Sequence, residues 1–375
     1  MKRIVIDGRW IKQTGIGRNV EETLKGILKQ DRENHYILLV RDQDRSEIDL
    51  RAPNLELVSA NITWYTMREQ TKLLKLINSL KPDLVHFTNF NLPVMYRGRF
   101  VVTIHDLTLL RFKNINPAKH SRVVYHVRDT VMRSVLRRAA KGSKAIITPS
   151  EFVAGEVIKK YHVKKSKVTT VYEAAREPYQ RASVDLHALG ITKPYLLYVG
   201  NAYPHKNLER LILAFGKLNT DYMLDYQLVI AGKKDSFHTA LESEVHSAGL
   251  DERVIFTGYV GERELAGLYK QATLYVFPSL SEGFGLPALE AMSYGLPLAS
   301  SNATCLPEII GSSAAFFNPK DVSDMVRVIS SLLADSFRRE QLSKLGLKRV
   351  KDFSWEKSAQ STLAVYQRVL RSPKR

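Results

Sequence analysis

Short runs of valine, isoleucine and leucine alternate along the chain with stretches whose apolar residues recur every three or four positions. That alternation predicts parallel strands joined by crossover helices. In the first half, strands are expected near Arg3–Ile6, Tyr36–Val40, Leu84–Phe87, Val101–Ile104 and Ala145–Ile147. Helices are expected near Arg18–Lys29, Arg68–Leu80 and Ala118–Ala140. The stretch from Glu173 to Lys193 is polar, holds Pro178 and has no sustained period, so it reads as a linker. A second series then opens with strands near Tyr195–Val199, Gln227–Ala231, Val254–Phe256, Leu274–Phe277, Pro297–Ser300 and Ala315–Phe317. The fold class expected is α/β, two doubly wound Rossmann-like domains facing a central cleft, with ligands at the carboxyl ends of the strands. The expected boundaries are 1–180 and 181–355, with a terminal helical tail over 356–375.

Length agrees with this division, because 375 residues exceed what one ordinary core holds together. The 44% apolar and 25% charged content is that of a globular chain. The single cysteine, Cys305, excludes an internal disulfide framework and points to a reducing cytoplasm. No apolar run approaches the roughly 18 residues of a membrane span, and Met1-Lys2-Arg3-Ile4-Val5-Ile6-Asp7 reads as a first strand rather than a signal peptide.

The net charge of +18 is unevenly placed. Residues 1–185 hold 34 lysines and arginines against 19 acids, whereas residues 186–375 hold 22 against 19. Arg111 to Lys144 alone carries ten basic residues and one acid, Asp129. Such a field attracts nucleic acid, an anionic membrane face or phosphorylated substrates, and composition does not choose among them.

The strongest chemical signal is Pro278-Ser279-Leu280-Ser281-Glu282-Gly283-Phe284-Gly285-Leu286-Pro287-Ala288-Leu289-Glu290-Ala291-Met292. The strand Leu274–Phe277 runs into a glycine-containing loop, and a helix is expected to begin near Leu286 with Pro287 in its first turn. Amides at that helix start suit an anion such as a diphosphate, and Glu282 before the helix can point at a ligand. Taken alone, the two glutamates read equally as solvated residues of a strand–turn–helix. Their spacing of eight positions around Gly-Phe-Gly-Leu-Pro resembles the signature of glycosyltransferase family 4. The resemblance extends to Phe256-Thr257-Gly258-Tyr259-Val260 before it and to Leu306-Pro307-Glu308-Ile309-Ile310-Gly311 and Asn318-Pro319-Lys320-Asp321 after it. It implies a retaining enzyme of the two-domain GT-B fold. It also implies that Glu282 contacts the transferred sugar, Glu290 the nucleotide ribose and the segment at Val260 the base, with Gly283, Phe284, Gly285 and Leu286 along the donor.

A second signal is Tyr198-Val199-Gly200-Asn201-Ala202-Tyr203-Pro204-His205-Lys206-Asn207. On its own it is a surface loop with a solvated lysine. It resembles the family's phosphate-binding loop, which makes Lys206 a diphosphate ligand and catalytic residue, with Gly200 and Asn201 beside it. Many family members carry arginine where this chain has Asn201. In the first half, Thr14-Gly15-Ile16-Gly17-Arg18-Asn19 resembles the family's glycine loop, and Arg18 then supplies the charge that Asn201 lacks. Read without the family, Gly15 and Gly17 make an ordinary tight turn, and the third glycine of a dinucleotide fingerprint is missing. His105-Asp106, after Val101–Ile104, resembles the family pair whose histidine faces the transferred sugar. Ser150-Glu151-Phe152 resembles a further marker, and Ser150 reads equally as a helix N-cap.

The segment Ala118–Ala140 interleaves Val123, Val124, Val127, Val131, Val135 and Leu136 with Arg122, Arg128, Arg133, Arg137 and Arg138. One face is expected on the sheet and the other to be cationic, either merely solvated or drawn to lipid head groups or a lipid diphosphate. No His, Cys, Asp or Glu cluster has metal-ligand spacing, so no metal and no cofactor are expected; the nucleotide diphosphate sugar is a substrate. GDP-mannose is the expected donor, with UDP-hexoses the alternative. The acceptor that the resemblance implies is a glycan or a lipid-linked molecule of cell-envelope polysaccharide synthesis. The expected location is cytoplasmic, peripheral on the inner face of the membrane, with an anionic membrane surface as partner. The terminal stretch Ser354–Leu370, with Trp355, resembles the GT-B tail that returns to the first domain. A Rossmann-type NAD enzyme is disfavoured by the incomplete glycine fingerprint. A basic nucleic-acid-binding protein remains the alternative of another class, although no aromatic-interleaved recognition motif is present and no nucleic-acid partner is expected.

Overall fold

A computed structural model describes residues 1–112 and 122–372. Among these residues the chain folds as two units: 1–110 with 122–173 and 354–372, and 111–112 with 174–353.

The first unit holds a seven-stranded sheet of β1 (Arg3–Asp7), β2 (His35–Val40), β3 (Leu55–Ser59), β4 (Leu84–Phe87), β5 (Phe100–Thr103), β6 (Ala145–Thr148) and β7 (Val168–Thr170). Its order is β3-β2-β1-β4-β5-β6-β7 with every pair parallel. The helices are α1 (Thr14–Gln30), α2 (Asp42–Arg45), α3 (Leu74–Ser79), α4 (Arg122–Gly142) and α5 (Glu151–Tyr161), with a π-helical turn, Glu69–Leu73, leading into α3. The second unit holds α6 (Leu208–Tyr222), α7 (Ser236–Ser247), α8 (Glu262–Gln271), α9 (Leu286–Ser293), α10 (Leu306–Ile310), α11 (Val322–Ala334) and α12 (Ser336–Val350). Its six strands are β8 (Tyr195–Val199), β9 (Gln227–Ala231), β10 (Val254–Gly258), β11 (Leu274–Phe277), β12 (Leu298–Ser301) and β13 (Ala314–Phe317). They run in the order β10-β9-β8-β11-β12-β13, again all parallel. Both sheets are doubly wound.

The central strands are apolar at nearly every position because helices cover both faces of a parallel sheet. Leu84–Phe87, Phe100–Thr103 and Leu274–Phe277 are buried throughout. α13 (Trp355–Arg371) packs in the first unit against α1. Its stripe Ala359, Leu363, Tyr366 and Val369 joins Val20, Leu24 and Ile27 in one core. The Tyr366 hydroxyl lies 2.6 Å from Nδ1 of the buried His86, whose Nε2 lies 2.8 Å from the Thr103 hydroxyl. α13 is thereby stitched to β4 and β5.

Three expectations need correction. Gly15 and Gly17 do not form a loop ahead of the helix: α1 begins at Thr14, so both lie in its first turn. Gly17 is there for close packing, since a Cβ would sit 2.3 Å from the Ile11 carbonyl oxygen. On α4, Val131 is exposed and Arg138 points inward. Met132, Val135, Leu136, Ala139 and Ala140 form the stripe that packs. The Arg138 guanidinium donates to the carbonyls of Val94 (3.0 Å) and Tyr96 (2.6 Å). The expected start of this helix at Ala118 lies outside the described residues, as do the side chains of Arg122, Val123, Val124 and Val127. Finally, the edge strands β3 and β7 are additions to the strands expected.

Candidate active site

In the second unit β8 and β11 are neighbours where the strand order reverses. Loops leaving their carboxyl ends diverge there, which is where open α/β sheets bind ligands. The β8 loop delivers Lys206 and the β11 loop Glu282. Lys206 Nζ donates to Glu282 Oε1 at 2.7 Å, with the side chains 16% and 11% exposed. The Ser279 hydroxyl donates to the same oxygen at 2.7 Å. The Glu282 amide donates to Thr304 Oγ1 (3.1 Å), and the Cys305 thiol to the Glu282 carbonyl (3.3 Å). Burial first, then the Glu282 and Glu308 carboxylates, push the Cys305 thiol well above its ordinary range. It is therefore a packed thiol, not a thiolate nucleophile.

Asn207 sets the geometry of this pair, a role the sequence reading missed. It adopts the left-handed conformation (φ 63°), and its side-chain amide donates to the carbonyls of Pro278 (3.0 Å) and Pro319 (2.7 Å). The Leu280 amide adds a bond to the His205 carbonyl at 2.7 Å. Three loops are thus tied together around Lys206. The available signal was an asparagine directly before a helix, where a positive φ is tolerated.

Gly285 caps α9 at φ 95° and turns the chain so that first-turn amides face the loop. A Cβ there would meet Leu306 Cδ2 at 2.9 Å. Phe284 and Leu286 are buried, Phe284 edge-on to Phe353 at 5.8 Å. Only their backbones are suited to a donor. Glu290 sits on α9 and accepts a 3.1 Å bond from the Tyr269 hydroxyl. Tyr269 stacks on Tyr294 at 5.4 Å. Neither tyrosine was singled out from the sequence. Val260 is half-buried in the β10–α8 loop beside the exposed Tyr259. The Gly200 amide donates to the Ala231 carbonyl (2.9 Å), and the Asn201 carbonyl accepts from the Tyr198 hydroxyl (2.9 Å).

In the first unit His105 lies just beyond the carboxyl end of β5. Its Nε2 is 2.9 Å from the Thr88 carbonyl, and its Nδ1 is 3.5 Å from Glu173 Oε1. A carbonyl only accepts, so Nε2 carries a proton; Nδ1 facing a carboxylate is best satisfied with one too. Burial works against the charge, but Glu173, the Thr88 carbonyl and Asp106 outweigh it and raise the His105 pKa above its ordinary 6.5. The surroundings of His105 therefore favour its protonated form. The Asn19 side-chain amide, from α1, donates to the same Glu173 oxygen at 3.0 Å. Arg18 is half-buried one turn into α1. Asp106 caps a turn by accepting from the Thr108 amide at 2.7 Å. Ser150 is the N-cap of α5, accepting from the Val153 amide at 3.3 Å.

Sequence reasoning also missed a buried triad after β1. Arg9 is fully buried, with 2.8 Å bonds to both Asp7 oxygens and a 2.9 Å bond to Glu69. Two carboxylates against one guanidinium leave burial free to raise the Glu69 pKa. Nothing in the local sequence announces this pairing. Among the described residues, no group of three or more His, Cys, Asp or Glu is placed to hold a metal ion. No helix among them is long and apolar enough to cross a membrane.

Two family models match most of the chain: glycosyltransferase family 4 over residues 14–174 and glycosyl transferases group 1 over residues 185–349. The O-antigen chain mannosyltransferase B of Escherichia coli is 30% identical over 300 residues, spanning 78% of this chain and 76% of that protein. The chain belongs to glycosyltransferase family 4. The serotype-specific mannosyltransferase WbdA of Escherichia coli is 34% identical over 61% of this chain, which matches 29% of that longer protein. Among solved structures, the Anabaena HepE protein in complex with UDP and glucose superposes with a TM-score of 0.76 at 14% identity. The match covers 98% of this chain and all of that one, and it shows the GT-B fold. This glycosyltransferase therefore joins a family motif set to two doubly wound units.

Proposed function

We propose that the enzyme transfers mannose from GDP-mannose, with retention of configuration, to a glycan or lipid-linked acceptor in cell-envelope polysaccharide synthesis. The observation that carries the reading is the Lys206–Glu282–Ser279 cluster at the switch point of the second sheet. The names of the similar O-antigen and serotype-specific enzymes supply the sugar and the pathway. Lys206 and the amides of Gly283–Leu286 stabilise charge growing on the leaving nucleoside diphosphate, with Gly200 and Asn201 beside the phosphates. Glu282 meets the hydroxyls of the transferred sugar, Glu290 the ribose and the Val260 segment the base. In the first unit, His105 serves the transferred sugar, and Arg18, on the glycine-bearing turn with Gly15 and Gly17, serves the phosphates. A UDP-hexose donor is the second reading, favoured by the complex of HepE with UDP and glucose. Thermal unfolding with a panel of nucleotide sugars decides: GDP-mannose is expected to protect most, and stronger protection by a UDP-hexose overturns the mannose reading. Transfer is proposed to need no metal, and loss of activity in excess EDTA, restored by magnesium, contradicts that.

The enzyme is further proposed to work in the cytoplasm, peripheral on the inner membrane face. Arg128, Arg133, Arg137 and Val131 are all exposed on α4, with Arg133 paired to Asp129 at 2.6 Å, so the outer side of the helix is basic on balance and carries one apolar residue. Each cation near an anionic surface contributes about 1 kcal/mol. Co-sedimentation with anionic vesicles should be strong at low salt and vanish near 1 M, where the Debye length is about 3 Å. Indifference to anionic vesicles at low salt sinks this assignment.

A further inference from the structure

The basic residues of the first unit are not all on the outward face of α4. At the opposite end of the sheet from His105, α4 ends at Gly142, α5 ends at Tyr161 and α13 ends at Arg371, near the amino ends of β6 and β7. Between these ends lies a cavity of about 490 Å³ lined by Lys141, Lys144, Lys164, Lys167 and Arg368, with His162. It adjoins a second cavity of about 330 Å³ that shares Lys141 and His162 and adds Arg133, Arg137 and Lys160. Among the described residues, neither lining contains an aspartate or a glutamate.

The simplest account is that these cations neutralise three helix carboxyl ends. Each end carries roughly half a negative charge, so three ends offset about one and a half charges. Five lysines and arginines line the larger cavity, which leaves a surplus of about three positive charges. Two of the cations are held in place: Lys167 Nζ donates to the Lys141 carbonyl (2.9 Å), and Arg368 donates to the Thr169 hydroxyl (2.9 Å). Crowding is evident at Lys167, where burial first, then Lys144 and Arg138, push the amine down to about 8. A lining with no acid among the described residues, two anchored cations and three exposed ones suits a multiply charged anion.

We propose that this cavity is a binding site for a phosphate-bearing anion, distinct from the donor site of the second unit. The ligand chemistry is a tetrahedral phosphate oxygen set meeting lysine amines and one guanidinium. Free phosphate or pyrophosphate supplies it, and so does the head group of an anionic phospholipid.

The test uses the full chain. Isothermal titration with pyrophosphate at about 0.15 M salt, and co-sedimentation with phosphatidylglycerol or phosphatidylcholine vesicles, are compared for wild type and Lys144→Ala/Lys164→Ala. Both side chains are exposed, so the double change is expected to fold and to keep its transfer rate. Lys25→Ala/Lys29→Ala, exposed on α1, is the control for lost charge alone, and Lys206→Ala is the control for pyrophosphate at the donor site. The expected result is a loss of at least about tenfold in one ligand arm in Lys144→Ala/Lys164→Ala and in neither control. Loss in the pyrophosphate arm identifies a soluble phosphate site, and loss in the phosphatidylglycerol arm identifies a lipid head-group site. Wild type that binds neither probe overturns the proposal. So does pyrophosphate binding abolished by Lys206→Ala alone, or equal losses in both lysine pairs. Because transfer is read separately, failure here leaves the glycosyltransferase assignment standing.

Discussion

In the second unit the candidate cation is a lysine amine on a flexible stem; in the first it is a histidine with both ring nitrogens engaged and its pKa raised. Lys206 gives one of its three N–H groups to Glu282 and stays partly exposed. His105 is held by the Thr88 carbonyl on one side and Glu173 on the other, and Glu173 is itself buried. Under the proposed function, the lysine would exchange its partner for an incoming diphosphate while the sheet stays as it is. The histidine keeps its charge at a fixed place and loses it only if Glu173 or the pH changes. On that proposal, Lys206 is a charge free to move to its ligand and His105 one positioned in advance.

The sharpest way to break that contrast is to remove the mobile charge. Lys206→Ala is expected to cost about 2–4 kcal/mol of transition-state stabilisation, roughly one and a half to three powers of ten in kcat/KM. A rate within about threefold of wild type ends the assignment. The two glutamates should separate in the same assay. Glu282→Ala is expected to abolish transfer while nucleoside diphosphate still binds, whereas Glu290→Ala weakens that binding. Equal effects of both on nucleotide affinity contradict the division.

A smaller loss is expected from the turn that presents the loop. Gly285→Ala forces a Cβ onto φ 95° and towards Leu306 Cδ2 at 2.9 Å. The strain should cost about 1–3 kcal/mol, read as a lower Tm and a weaker nucleotide complex. An unchanged Tm means that the loop relaxes freely and does not hold Glu282 in place.

The same contrast explains what the sequence disclosed. Leu274–Phe277 and Tyr195–Val199 were legible to the residue because strands buried on both faces are continuous apolar runs. The edge strands were not: Leu55–Ser59 is half exposed and Val168–Thr170 has three residues, none fully buried. Lys206 and Glu282 could be singled out because their motifs are local and lie on loops after apolar strands, and Glu290 because the same motif runs on into α9. Glu173 was hidden in a stretch without period, read as linker, because its meaning lies in contacts with Asn19 and His105, distant in sequence. Gly15 and Gly17 misled because glycine usually weakens a helix, and only the approach of Ile11 reveals why Gly17 is needed. Val131 misled because periodicity counts valines, not which of them meet the sheet.

The smallest expected effect sharpens the comparison most, because it separates the fixed charge from mere burial. The first unit holds two histidines, set well inside it, with opposite shifts. His86 is pushed down to about 3, by burial and then by His105, and stays neutral between Tyr366 and Thr103. His105 is raised above 6.5 despite burial, through Glu173. The signs on stability therefore differ. His86 contributes stability that is present above pH 6.5 and is lost as the pH falls towards about 3. His105 contributes stability that is full below pH 6.5 and is lost as the pH rises through its raised value. Glu173→Gln keeps the shape and removes the carboxylate, so burial acts on His105 unopposed. Its titration midpoint, followed by the ring proton resonances, should fall. The Tm of the variant should lie below wild type near about pH 6 and converge on it at alkaline pH, where the wild-type imidazole is neutral as well. A His105 midpoint unmoved by Glu173→Gln would falsify the fixed charge and leave that histidine as an ordinary packed residue.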